Sequence, residues 1–262
     1  MRYGLITLAV GALLLCAAPD ASAQSDAYMR LMQTQNQQMM NRVRIYSSVR
    51  SGARITRYGG GGKTSGGTAA KAKPGSGSPG SKRPASGGGS PQAGTTTFRP
   101  VANSIMPQVM ANEIARTPAE RPRLEKLFGD LLENYHNRLR QAGGPQSDVS
   151  RAASYLVSAS HDAYFDAEPL SPEEFDALRE HMREIYAADA KFQRASDRER
   201  QEMFETFGII ATWIDAGFQT AKRAGDREGM RHWREMARGH LQNMLGAPPE
   251  QVAFTRNGIM YR

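Results

Sequence analysis

The residues of this 262-residue chain that could do chemistry are few and poorly grouped. Glu133-Asn134-Tyr135-His136 is a Glu-x-x-His unit, which sets a carboxylate and an imidazole one helical turn apart. Carboxylate-bridged di-metal bundles use that unit twice. Here the second copy is missing, because His181-Met182-Arg183-Glu184 runs in the reverse order. Tyr135 occupies the apolar face, so Glu133 and His136 should point to solvent, and no metal site is expected. Ser160-His161-Asp162 offers the residue types of a hydrolytic triad, but adjacent residues on a helix project about 100° apart and a triad requires convergence. In the run GGGGKTSGG, Gly62-Lys63-Thr64 matches the end of a phosphate loop. Arg57, however, holds the place of the loop's first glycine, and neither a strand nor a helix flanks the run. His240 sits at the edge of an apolar stripe, one turn before Met244, where a lone histidine is more often a core residue than a ligand. Neither G-x-S-x-G nor H-E-x-x-H occurs. No catalytic residue, cofactor or metal is expected, and the 13 methionines read as adaptable core filling.

Charges set among apolar residues are more informative. By helical phase Asp189 falls in a stripe with Met182 and Tyr186, one turn from Ile185 and Phe192. Arg138 falls in angle between Leu127 and Leu131 on another stripe. An unpaired buried charge is costly, so each needs a partner, and they could be each other's. In the other reading Asp189 lines a pocket inside the bundle with Asp215, as a ligand anchor or an acid.

The elements that would position these side chains are helices. Residues 196–226 form the central one: Met203, Phe207, Ile210, Ile214, Phe218 and Ala221 share a face, while Ile209 and Trp213 lie well round the cylinder. Only a wedge through Glu205, Gly208, Thr212, Asp215 and Gln219 is polar, so neighbours should pack on several sides. Four further helices are legible. The first follows a capping box at Thr117-Pro118-Ala119-Glu120 and carries Leu124, Leu127, Phe128, Leu131, Leu132, Tyr135 and Leu139. The second starts near Ser147-Asp148 and is rich in small residues. The third opens on the box Ser171-Pro172-Glu173-Glu174, as the central helix opens on Ser196-Asp197-Arg198-Glu199. The fifth runs from Asp226 to Gly246. Short connections make consecutive helices antiparallel neighbours. The fold class is therefore all-α, a bundle of about five helices over 113–262, with a strand-like tail after Val252.

Before the bundle the composition changes. Met1-Arg2-Tyr3, an apolar run from Gly4 to Ala18 and the ending Ala21-Ser22-Ala23 have the parts of a secretory signal peptide cleaved near Ala23. Residues 1–23 are assigned to it, and export to the periplasm or beyond follows. Cys16, the one cysteine, leaves with the signal, and Leu15 before it argues against lipidation. Residues 24–50 are a Met-, Gln- and Arg-rich segment that is marginal as an isolated helix. Residues 51–112 read as a disordered basic linker of Gly, Ser, Pro and Lys. Between Ala27 and Asn112 there are 12 basic residues and no acidic one, whereas residues 113–262 carry 21 basic and 24 acidic residues, a net of −3. The overall charge of +8 thus belongs to the arm.

Two stretches, SDVSRAASYLVSAS from Ser147 and SDRERQEMFE from Ser196, resemble a family of exported bacterial proteins carrying an all-helical domain of unknown function. In that family an Asn-Asp or Ser-Asp pair begins an alanine-rich helix and a later helix carries a Gln…Glu signature. The resemblance covers residues 124–253 and leaves the arm untouched. It implies an exported helical domain and brings no catalytic residue. Two functions stay open. One is a non-enzymatic interaction module whose arm, through Lys63, Lys71, Lys73, Lys82 and Arg83, meets an anionic envelope polymer or lipid head groups while the bundle meets a protein partner. The other is a small-ligand or enzymatic pocket around Asp189 and Asp215. Nucleic acid is disfavoured, because the bundle is acidic and the chain is read as exported.

Overall fold

The computed structural model describes residues 95–101, 103–115 and 117–261. Residues 1–23, read as a signal peptide, the 24–50 segment and the five basic arm positions lie outside these residues. Within them the fold is all-α with one small hairpin. The helices are α1 (Met106–Ile114), α2 (Arg121–Ala142), α3 (Val149–Phe165), α4 (Pro172–Ala188), α5 (Ala190–Arg194), α6 (Asp197–Ala224) and α7 (Arg227–Leu245). A 3₁₀ turn (Pro249–Gln251) leads into β1 (Val252–Thr255) and β2 (Gly258–Tyr261).

α6 is the central helix. It packs against α2, α3 and α7 and touches α1. Phe204, Phe207, Ile209, Ile210, Ile214 and Phe218 are all buried, which needs neighbours on several sides. Two glycines let those neighbours in. A Cβ on Gly208 would stand 2.2 Å from Cδ1 of Tyr135 on α2, and one on Gly217 would stand 1.9 Å from Cζ2 of Trp233 on α7. α3, with Ala152, Ala153 and Ser154 buried, lies between α6, α7 and α4.

Both capping boxes at Ser171 and Ser196 form, each serine accepting from the N–H three residues on while the glutamate answers the cap N–H. Asp148 and Asp226 cap α3 and α7. The box expected at Thr117 does not form. Residues 117–120 make a turn, and α2 begins at Arg121 with no side-chain cap. Pro122 in the first turn of α2 places the start there.

Two helices were not legible in the sequence. α5 is separate from α4 because the chain turns extended at Asp189. α1 lies inside the stretch read as linker, so a domain boundary at 112/113 falls within a packed helix whose Met106, Met110 and Ala111 are buried. The tail closes as an antiparallel hairpin in the register Val252↔Tyr261 and Phe254↔Ile259, with β2 against α4.

Candidate functional site

The polar wedge of α6 supplies the most developed polar site. Its N-terminal half carries Arg200, Gln201 and Glu205, which are 0%, 5% and 3% exposed. Polar side chains buried so deeply must be hydrogen-bonded. What they hold is the main chain of residues 95–106. The Arg200 guanidinium donates to the carbonyls of Thr95 (3.2 Å) and Thr97 (3.0 Å), and to those of Phe192 (3.2 Å) and Gln193 (3.4 Å). The guanidinium stacks over the Phe192 ring, 4.6 Å from its centroid, and burial pulls its pKa below the ordinary arginine value. Gln201 accepts from the Val101 N–H (2.7 Å) and donates to the Asn103 carbonyl (3.0 Å) and to Oε1 of Glu205 (2.7 Å). The other Glu205 oxygen accepts from the Ile105 and Met106 N–H groups, both at 2.8 Å. Those are orphan donors at the start of α1, so Glu205 caps that helix from another helix.

The far side of the strap is held by the start of α3. Thr96 donates its hydroxyl to Oδ1 of Asp148 (2.7 Å), which also accepts from the Ser150 N–H and hydroxyl. Phe98 N–H donates to the Ser147 carbonyl and Val149 N–H to the Thr96 carbonyl. The Asp197 carboxylate takes the Arg99 N–H (3.2 Å). Phe98 enters the core edge-on to Phe204, with centroids 5.4 Å apart. Together these groups form a clasp. Residues 95–101 and 103–105 are a strap laid between α3 and α6, gripped largely through its backbone.

The two stretches that carried the family resemblance supply the clasp: Ser147-Asp148 at the start of α3, and Gln201 with Glu205 on α6. The model of DUF6683, a family of unknown function, matches residues 5–262. The chain belongs to DUF6683. The match runs well beyond residues 124–253 and takes in the arm, which the resemblance had left out. Comparison of this DUF6683 chain with curated proteins and with solved structures finds no match.

The residues singled out for an ion pair are not partners. Asp189 is buried as expected, but it is the N-cap of α5, its carboxylate accepting from the Lys191 (2.7 Å) and Phe192 (3.3 Å) N–H groups. The helical phase that put it inside a stripe fails because α4 ends one residue earlier. Arg138 pairs instead with Asp215, at 2.7 Å, with its side chain 46% exposed. Of the two carboxylates expected to line a pocket, Asp189 thus caps a helix and Asp215 pairs with Arg138.

Around Arg138 there is a second polar group of side chains. The guanidinium lies over the Tyr155 ring, 5.6 Å from its centroid, and Tyr135 stacks with Tyr155 at 5.4 Å. The hydroxyls of Tyr155 and Thr212 are buried beside this pair without a well-formed hydrogen bond. Burial pushes the Tyr155 hydroxyl well up, and burial likewise raises Asp162, one of the charges nearby.

The remaining sequence candidates disperse. Glu133 is exposed, while His136 is half-buried against Phe204 at 5.7 Å and so does not point freely to solvent. Among the described residues no three His, Cys, Asp or Glu side chains are grouped to hold a metal. His161 and Asp162 touch at 3.2 Å, but Ser160 is buried with its hydroxyl unpartnered, so the three do not converge. His240 is a core residue, 2% exposed, with Nε2 unpartnered. The clasp residues were missed as a site although they were in view. Their signal was three long polar side chains at 200, 201 and 205 on a helix with large apolar side chains around most of its circumference.

Proposed function

We propose that this chain is a non-enzymatic interaction module of the cell envelope. Its basic arm engages an anionic polymer or lipid head groups, and the helical bundle is the rigid base that holds the end of the arm and meets a protein partner. The observation that carries the reading is the clasp. Four buried polar side chains of the bundle, Arg200, Gln201, Glu205 and Asp148, are spent on gripping the segment that leads into the arm. A grip of that extent gives a polyelectrolyte arm a fixed point of attachment. The signal-like residues 1–23 support export, and 12 basic residues with no acidic one from Ala27 to Asn112 support a polyanionic target.

The test is cosedimentation of the full chain with vesicles of anionic lipid and with vesicles of zwitterionic lipid. Binding to the anionic vesicles should fade as salt rises, because screening and counterion release control it. Replacing Lys63, Lys71, Lys73, Lys82 and Arg83 with Gln should weaken it at low salt. Binding indifferent to both salt and these charges overturns the reading and leaves the arm a plain tether.

A second reading has a specific observation behind it. The Tyr155 and Thr212 hydroxyls, buried beside the Arg138–Asp215 pair without a well-formed hydrogen bond, could receive a small polar ligand. A small molecule that copurifies with the chain, and is lost in Asp215→Asn while folding is kept, would favour it.

A further inference from the structure

The clasp recognises a backbone, and this determines what else can occupy it. Of the strap's contacts with α6, those from Arg200, Gln201, Glu205 and Asp197 all go to main-chain carbonyls or N–H groups. Side-chain identity enters chiefly through Thr96 on Asp148, Phe98 on Phe204, and the buried Met106, Met110 and Ala111 of α1. Strap and α1 form a unit at the N-terminal edge of the described fold. α1 packs along α2, and the chain passes between them through the turn at 117–120, which is closed by a single Glu120 N–H to Thr117 carbonyl bond. When the unit lifts away, the polar groups on both sides meet water together, so none is left buried without a partner. The opening cost falls on the apolar face of the unit, Phe98, Met106, Met110 and Ala111, and on the packing of α1 along α2.

We propose that this unit exchanges between two copies of the chain, so that the clasp of each holds residues 95–114 of the other. A second copy is the occupant that presents Thr96, Phe98, Met106 and Met110 at the spacing the clasp requires. A foreign peptide would have to match all four. Reciprocal exchange rebuilds every contact described above and changes only the turn at 117–120. It closes as a two-fold dimer, and it brings two basic arms onto one base.

Thr96 Oγ1 and Ser150 Oγ lie 3.3 Å apart, so thiols in their places can join. The experiment uses the full chain with Cys16→Ser as background, in three forms: Thr96→Cys, Ser150→Cys, and both together. The two single variants are mixed at high concentration and then oxidised. Exchange gives a disulfide-linked dimer containing one chain of each kind, in a yield that rises with the concentration at mixing, while either single variant alone gives little. The double variant shows that the two positions can bond. If it closes its internal disulfide while the mixture yields no mixed dimer at any concentration, the proposal is overturned. Because both positions are buried, the unsubstituted chain is also followed by sedimentation. A dimer that forms at high concentration and returns to monomer only slowly on dilution supports exchange if the cysteine variants do not fold, and a chain that stays monomeric throughout overturns it. A dimer from folded variants without the mixed disulfide overturns it as well, since the copies then meet by another surface.

Discussion

His240 lies in the core with burial as the one cause acting on it, which holds its imidazole down to about 4 against an ordinary 6.5. The unfolded chain takes up that proton near 6.5, whereas the folded chain does so only near 4. Stability from this group is therefore complete above 6.5, falls as the pH drops through the window, and levels off below it. The loss is on the order of 3 kcal/mol. Urea midpoints measured from pH 7.5 to 4 should decline less steeply in His240→Met than in the unsubstituted chain, and equal slopes would show that the histidine is not shielded. His136 and His232 are lowered by burial too and act in the same sense. Asp189 and Arg138 should prove independent. Asp189→Ala removes a helix cap and costs about 1–2 kcal/mol, Arg138→Ala breaks a half-exposed pair and costs about 1 kcal/mol or less, and the double variant should equal their sum. Denaturation of the three variants checks this, and a double variant milder than the sum would restore the pairing read from helical phase. At this scale the sequence was legible for burial and poor for partners. It marked Asp189 and His240 as lying among apolar residues, and both are buried, whereas Arg138, marked in the same way, keeps a side chain 46% exposed. Which charge met which depended on where α4 ended, and one residue decided it.

Among the elements, α1 depends on a residue 100 positions away. Ile105 at its N-cap offers no side-chain bond, and the Glu205 carboxylate supplies the acceptor. Glu205→Ala should therefore raise amide exchange at residues 106–110 before it affects α4 or α7, with an overall loss of about 2 kcal/mol. Uniform loss of protection across all helices would mean that α1 has no separate dependence on the cap. The same distance explains why α1 escaped the sequence reading while α4 and α6 did not. Their boxes at Ser171 and Ser196 are closed by residues three positions on, and local signals of that kind can be read from a string. Gly217 tests the packing of α6 on α7. Alanine there gains up to about 1 kcal/mol in helix propensity, but its methyl meets the Trp233 ring at 1.9 Å, so Gly217→Ala should destabilise by roughly 1–3 kcal/mol net. A neutral or stabilising effect in thermal unfolding would show that Trp233 moves aside at little cost.

For the whole molecule, the useful boundary is the start of the strap and not the start of the bundle. Removal of residues 1–94 should leave the unfolding midpoint nearly unchanged. Removal of residues 1–105 takes Phe98 from the core and leaves Arg200 without two of its four carbonyls. The midpoint should then fall clearly, by the equivalent of a few kcal/mol. Calorimetry of the two truncations beside the full chain makes the comparison, and equal midpoints for the two would mean that the clasp adds nothing to stability. Composition could not place that boundary, because residues 95–112 share the arm's lack of acidic residues; their contribution lies in backbone groups that every residue type provides. The order in which the chain is made adds a constraint of another kind. Ile105 emerges 100 residues before Glu205, and at about 5–20 residues per second the strap waits roughly 5–20 s for its seat to exist. Strap docking is a long-range closure, which in folding kinetics comes late and slowly. A nascent chain cut short before α6 therefore carries a strap with nothing to hold it. The strap can settle only once α3 and α6 stand together, so its docking marks the moment at which the bundle has become complete.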